Sequence, residues 1–163
     1  MPVKRSLLTS AFLLLSVVRL DAQIVVPVKN LTAGGQHTCA VLNDGSAKCW
    51  GNGYGGRLGY GNGNNKGDHA NEMGNNLPAI DLGTGKTAVQ LVAGAGHTCA
   101  VLNDGSAKCW GLSGNGRLGC RFAWTGPSGI SNHIGDGPNE MGDNLPAIDL
   151  GTGKTAVQLV AGA

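Results

Sequence analysis

The feature that most limits what this chain can fold into is a long internal repeat. "AGGQHTCAVLNDGSAKCWG" begins at Ala33, and "AGAGHTCAVLNDGSAKCWG" begins at Ala93, 60 residues later. The rest of the unit recurs as well. "NEMGNNLPAIDLGTGKTAVQLVAGA" runs from Asn71 and "NEMGDNLPAIDLGTGKTAVQLVAGA" from Asn139, 68 residues apart. Such self-similarity marks architectures in which one small unit stacks on the next. The 163 residues include 29 glycines and only 4% aromatics, which favours turns and short strands over long helices.

Within each unit, "HTCAVL-NDG-SAKCW" predicts a β-hairpin, because short apolar segments flank a turn carrying Asp and Gly. A three-residue loop, Asn43, Asp44 and Gly45, pairs Leu42 with Ser46 and sets Cys39 directly opposite Cys49. The same count sets Cys99 opposite Cys109. Directly opposed residues stand close enough for a disulfide, so the expected pairs are Cys39–Cys49 and Cys99–Cys109. Zinc held by His37, Cys39 and Cys49 is the competing reading. A facing Cys pair beside that His leaves cramped geometry for a tetrahedral site. "AVQLVAG" predicts a further strand and "LPAIDLG" another, giving about four short strands per unit. The unit is too large for a leucine-rich repeat and lacks the amphipathic helices of ankyrin or TPR units. One blade of a β-propeller fits best.

"GTGKTA", at Gly83 and again at Gly151, looks like the phosphate-cradling loop of an ATPase. That loop needs a glycine five residues before the one preceding Lys. Here Ile80 and Ile148 stand there, and the stretch recurs in each unit as a structural connector would.

The N-terminus predicts a secretory signal over residues 1–22. Lys4 and Arg5 precede an apolar run from Leu7 to Val18, and Ala22 is a small residue before the cleavage point. The run is too short for a membrane span, so none is expected after cleavage. Losing Lys4, Arg5 and Arg19 together with Asp21 takes the formal charge from +2 to zero. No basic face is then left for nucleic acid, whose binding rests on Lys and Arg contacts to phosphates. A secretory route also supplies the oxidising compartment that disulfides need.

At this point the residues resemble a known family, the regulator of chromosome condensation (RCC1) repeat. Its Gly-x-x-His-Thr opening, Asp-Gly turn, Trp-Gly and Gly-x-Leu-Gly close are met by Gly34, His37, Thr38, Asp44, Gly45, Trp50, Gly51, Gly56, Leu58 and Gly59. The second copy offers Gly94, His97, Thr98, Asp104, Gly105, Trp110, Gly111, Gly116, Leu118 and Gly119. The Cys pairs resemble the secreted and bacterial members of the family. The resemblance implies an all-β propeller of about seven blades. The repeat region, 23–163, holds one blade over about 31–90, a second over about 91–158 and the start of a third at 159–163. An open fragment of this kind is expected either as a monomer or self-assembled through its open blade edges.

The remaining residues offer little chemistry. His37 and His97 are pattern positions expected to be structural, bonding backbone at the strand start; His69 and His133 lie in loops. Trp50 and Trp110 end a hairpin strand and are expected to pack. The acids Asp68 and Glu72, matched by Asp136 and Glu140, do not fit an EF-hand and read as solvated turn residues. Asn30 heads "NLT", an N-glycosylation acceptor in a eukaryotic secretory route. After Gly119, "CRFAWTGPSGIS" (residues 120–131) replaces the first unit's "YGNG" and brings the odd Cys120. It reads either as a functional loop or as mistranslated sequence. No catalytic residues, cofactor or metal are expected, so the chain is read as no enzyme. Three functions stay open: a secreted propeller binding a protein or glycan, guanine-nucleotide exchange on a small GTPase as in the family's founder, or a structural wall or matrix protein.

Overall fold

The computed structural model describes residues 29–120 and 133–162. The expected signal segment and nearly all of 120–131 lie outside them. Among the described residues, the strands form two three-stranded antiparallel sheets, one per repeat, and four short 3-10 turns lie in the loops. The first holds β1 (Asn30–Ala33), β2 (His37–Val41) and β3 (Ala47–Gly51), in that order. The second holds β4 (Ala88–Ala93), β5 (His97–Leu102) and β6 (Ala107–Gly111). No α-helix occurs among the described residues, and no helix there is long and apolar enough to cross a membrane. The fold is all-β, built of blade-like sheets.

The hairpin forms as its turn dictates. The Leu42 N–H donates to the Ser46 carbonyl at 2.9 Å, and the Gly45 N–H to the Leu42 carbonyl at 2.9 Å. Gly45 has φ 81°, a conformation costly for a residue with a Cβ. The Asp44 carboxylate accepts from both the Ser46 N–H and hydroxyl. The register follows: Thr38 faces Trp50, Cys39 faces Cys49 and Ala40 faces Lys48. Side chains alternate across a strand, so His37, Cys39, Val41, Ala47 and Cys49 share one face. Thr38, Ala40, Lys48 and Trp50 share the other. The second sheet repeats this division. β4 pairs wholly with β5, so the second sheet already begins at Ala88, and Val89 is the extra residue at a register shift.

Each sheet has three strands rather than four. "LPAIDLG" forms no strand; in each copy one Ile N–H, of Ile80 or Ile148, reaches the outer strand, at Ala47 or Ala107. Pro78 and Pro146 have no N–H to give a ladder. The outer edge is closed by point contacts instead. In the first sheet the Tyr60 hydroxyl accepts from the Cys49 N–H at 3.0 Å and donates to the Cys49 carbonyl at 2.9 Å. Gly51 and Lys66 exchange two backbone bonds, as do Gly111 and Ile134 in the second unit. The second copy of "AVQLVA" (156–161) is not a strand either.

The core lies between the sheets. The first sheet turns its Cys face toward the Thr98–Trp110 face of the second. Trp110 is fully buried, with Leu58, Leu91 and Leu118 in the same cluster, whereas Trp50, on the outward face of the first sheet, is half-buried.

Candidate interaction surface between the two repeats

The boundary between the sheets is built from repeat-pattern residues. The Thr98 hydroxyl donates to the Arg57 carbonyl at 2.8 Å. Its proton is thereby committed, so in the 2.9 Å contact with His37 it accepts from Nε2–H. His37 is then the neutral tautomer, with the Nδ1 lone pair buried and unpartnered. Burial, aided by the charge of Arg57, pushes the His37 pKa down to about 4. The histidine thus bonds a side chain of the next sheet, not backbone at its own strand start. The first glycine of the pattern is explained by the same ring: a Cβ on Gly34 would lie 2.3 Å from the Gly94 carbonyl oxygen and 2.6 Å from the imidazole. His97 stands equally close to Gly94, and burial lowers its pKa too.

The cysteines pair as their register requires. Cys39 bonds Cys49 and Cys99 bonds Cys109, each with Cα atoms 4.1 Å apart. Asn30 is placed on β1, where its side-chain oxygen accepts from the Leu91 N–H at 3.0 Å; the sequon's Thr32 accepts from the Ala93 N–H at 3.1 Å. Gln90, 60 residues on, holds Leu159 through both its amide atoms.

"GTGKTA" clamps one unit to the next. Lys86 pairs with Asp104 in the following hairpin turn, and this holds the Asp104 carboxyl well below its ordinary range. Thr84 gives its N–H and hydroxyl to Asp143 at 2.8 and 2.6 Å. Lys108 is buried and donates to the carbonyls of Leu82 and Gly142, each at 2.9 Å; burial lowers its pKa. Its counterpart Lys48 reaches only the Gly74 carbonyl. Neither the lysines nor Tyr60 stood out in the sequence; their recurrence or position inside the repeat was the signal available.

In the acidic turns Asp68 is exposed, as expected of a solvated turn residue, whereas Glu72, Asp136 and Glu140 are half-buried. Glu72 braces its turn by accepting from the N–H groups of Gly67 and His69 at 2.9 and 3.2 Å. Glu140 does the same for Gly135 and Gly137, both at 2.8 Å. Asp136 is half-buried, and burial with the nearby Glu140 raises its pKa. Asp68, His69 and Glu72 bring their ligand atoms within 4.8 Å of one another. Glu72 is already engaged by two amides, and Asp68 by Asn65 and His69.

Between the long loops of the two units lies a groove of about 660 Å³, lined among others by Tyr60, Asn62, Lys66, Asp81, Asp143 and Asn144. Its walls come from both repeats and are tied by the Gly61 N–H to the Gly135 carbonyl and the Gly142 N–H to the Asp81 carbonyl. A smaller cavity of about 290 Å³ lies beside His133, Glu140 and Leu145. The groove offers amide, ammonium and carboxylate groups on a fixed frame, which suits recognition of a mixed polar surface.

A pair of disulfide-bonded sheets stacked face to face, with the chain returning through Gly-rich loops, defines propeller blades built from a repeat. Residues 28–57 and 88–117 each match the regulator of chromosome condensation (RCC1) repeat. Among curated relatives, serine/threonine-protein kinase Nek8 of Danio rerio is 31% identical over 100 residues. Protein pim1 of Schizosaccharomyces pombe is 35% identical over 103. These alignments take in 61% and 56% of this chain but 13% and 18% of the relatives' own lengths. Among solved structures, yeast RCC1 (Prp20) bound to Kap60 superposes with a TM-score of 0.38 at 28% identity, over 50% of this chain and 19% of that one. Prp20p of Saccharomyces cerevisiae, described with its binding properties to Gsp1p and histones, gives 0.44 at 20% identity, over 58% and 21%. Human WBSCR16 gives 0.45 at 13% identity, over 72% and 30%.

Proposed function

We propose that this protein is a secreted binding module that grips a protein partner through the loops around the inter-repeat groove. The observation that carries the reading is the groove itself: side chains from both repeats meet on one frame held by two disulfides and the Thr84–Asp143 and Lys86–Asp104 clamps. A site fixed in this way needs little ordering when it binds. The RCC1 repeats support a protein partner, since the family's founder acts on a small GTPase. The disulfides support an oxidising, extracellular setting over the nuclear or cytosolic one that nucleotide exchange on such a GTPase requires. A photo-crosslinking residue placed at Asn62 in the groove should capture a discrete protein from extracellular material. The same residue at Val89, which is exposed and does not line the groove, should not. Capture of glycan alone would move the ligand class to carbohydrate, and equal capture from both positions would remove the groove from the function.

A further inference from the structure

One motif plays no part in the groove: "NLT" at residues 30–32, the chain's one Asn-x-Ser/Thr. It falls on β1, where Asn30 pairs with Val41 and Thr32 with Cys39. Alternation turns both side chains toward the second sheet. There the Asn30 Oδ1 accepts from the Leu91 N–H, and the Thr32 hydroxyl accepts from the Ala93 N–H. An N-linked sugar is carried by the other end of the carboxamide, Nδ2.

The second repeat shows what that nitrogen does when the side chain is long enough. Gln90 holds the matching place, paired with Val101 as Asn30 is with Val41. Its Oε1 accepts from the Leu159 N–H at 2.9 Å, and its Nε2 donates to the Leu159 carbonyl at 3.1 Å. Asn30 is one methylene shorter. Its oxygen makes the first of these bonds, at 3.0 Å to the Leu91 N–H, and its Nδ2 makes none among the described residues. The residue is half-buried, yet Nδ2 is not sealed from solvent as the unpartnered Nδ1 atoms of His37 and His97 are. A substituent on Nδ2 therefore breaks no hydrogen bond and leaves the clamp on Leu91 intact. In the first sheet β1 is also the edge opposite β3, whose outer side carries Tyr60 and Lys66 of the groove. A glycan on Asn30 leaves the groove open.

We infer that Asn30 carries an N-linked glycan, added before the first sheet closes; the inference rests on the secreted reading proposed above. The Nδ2 nitrogen attacks the anomeric carbon of an oligosaccharide joined to a lipid diphosphate. The C–N bond forms, the bond from that carbon to the phosphate oxygen breaks, and the lipid diphosphate leaves with the electron pair. The amide gives up one proton to a base. In the folded chain β1 is laddered to β2, and Asn30 and Thr32 are clamped to the second sheet. The transferase can take the motif only from a chain that is still extended.

The test expresses the full chain in cultured insect cells, once with its own N-terminus and once behind the signal peptide of another secreted protein. Gel mobility is read before and after peptide N-glycosidase F, on secreted and membrane-enclosed chain alike, with mass spectrometry of the peptide holding residue 30. Wild type should shift to a faster band on digestion, with the Asn30 side chain left as a carboxylate. Thr32→Ser keeps the acceptor motif and should keep the shift. Thr32→Val and Asn30→Gln should both lose it. Chain that enters the secretory route without a glycan at Asn30 overturns the inference and leaves the secreted reading standing. A glycan found only behind the supplied signal peptide overturns the secreted reading and keeps Asn30 as the acceptor. The order of events is read with unmodified chain, detergent-solubilised microsomes and the lipid-linked donor. Reduced, unfolded chain should be modified and folded, disulfide-closed chain should not; equal modification of the two overturns that order.

Discussion

At the scale of single residues, the repeat's invariant-looking letters resolve into one contact. Gly34 is small because the Gly94 carbonyl and the His37 ring occupy the space where a Cβ would go. His37 is neutral because burial, aided by the charge of Arg57, disfavours its protonated form, and its Nε2–H is donated to Thr98. This gives a pH dependence with a definite sign. The unfolded chain protonates His37 near 6.5, whereas the folded chain does so only near 4. The contribution is complete above about pH 6.5, falls away as pH drops toward 4, and levels off below that. Its size is about 3 kcal/mol by linkage. Denaturation curves at neutral pH and near pH 4 measure it, and His37→Gln, which keeps an N–H donor but cannot titrate, should remove most of the difference. Thr98→Val, which strands the imidazole N–H, should cost about 1–3 kcal/mol at neutral pH. A loss near zero would mean that solvent already satisfies the ring.

At the scale of the element, the hairpin was legible and its surroundings were not. Loop length and the Asp-Gly turn determine register by local geometry, so Cys39 opposite Cys49 could be counted off the sequence. The fourth strand could not be judged that way. Whether "LPAIDLG" pairs depends on what else reaches the outer edge of β3, and Tyr60 and Lys66 get there from loop positions before it. The acidic turns were misread for a related reason: solvation of Glu72 was inferred from its type, but its oxygen is taken up by two amides that only the folded loop brings together. Two outcomes follow for the element. Replacing Cys39 and Cys49 by Ser frees a loop of sequence separation 10 and should lower stability by about 2–3 kcal/mol in the chain-entropy account. Tyr60→Phe keeps the ring but leaves the Cys49 N–H and carbonyl without their partner, and should cost about 1–2 kcal/mol. Thermal melts with and without reductant separate the two, because only the Tyr60 loss persists once the disulfides are reduced.

At the scale of the whole molecule, two nearly identical hairpins sit in different environments, and stacking alone makes the difference. Trp110 and Trp50 hold the same repeat position and face Thr98 and Thr38 across their hairpins. Trp110 is sandwiched against the first sheet and fully buried, while Trp50 looks outward from the first sheet and is half-buried. If stability resides in the stacked face rather than in each hairpin, the same substitution must have unequal effects. Trp110→Ala should cost about 3–5 kcal/mol, the range for a large side chain removed from a packed core. Trp50→Ala should cost less than half of that. Equal losses from urea denaturation would show that each hairpin is stabilised by its own disulfide and turn, with the stacked face contributing little. A large loss confined to Trp110 places the core of the molecule at the boundary between its repeats, where His37, Thr98 and Arg57 already meet.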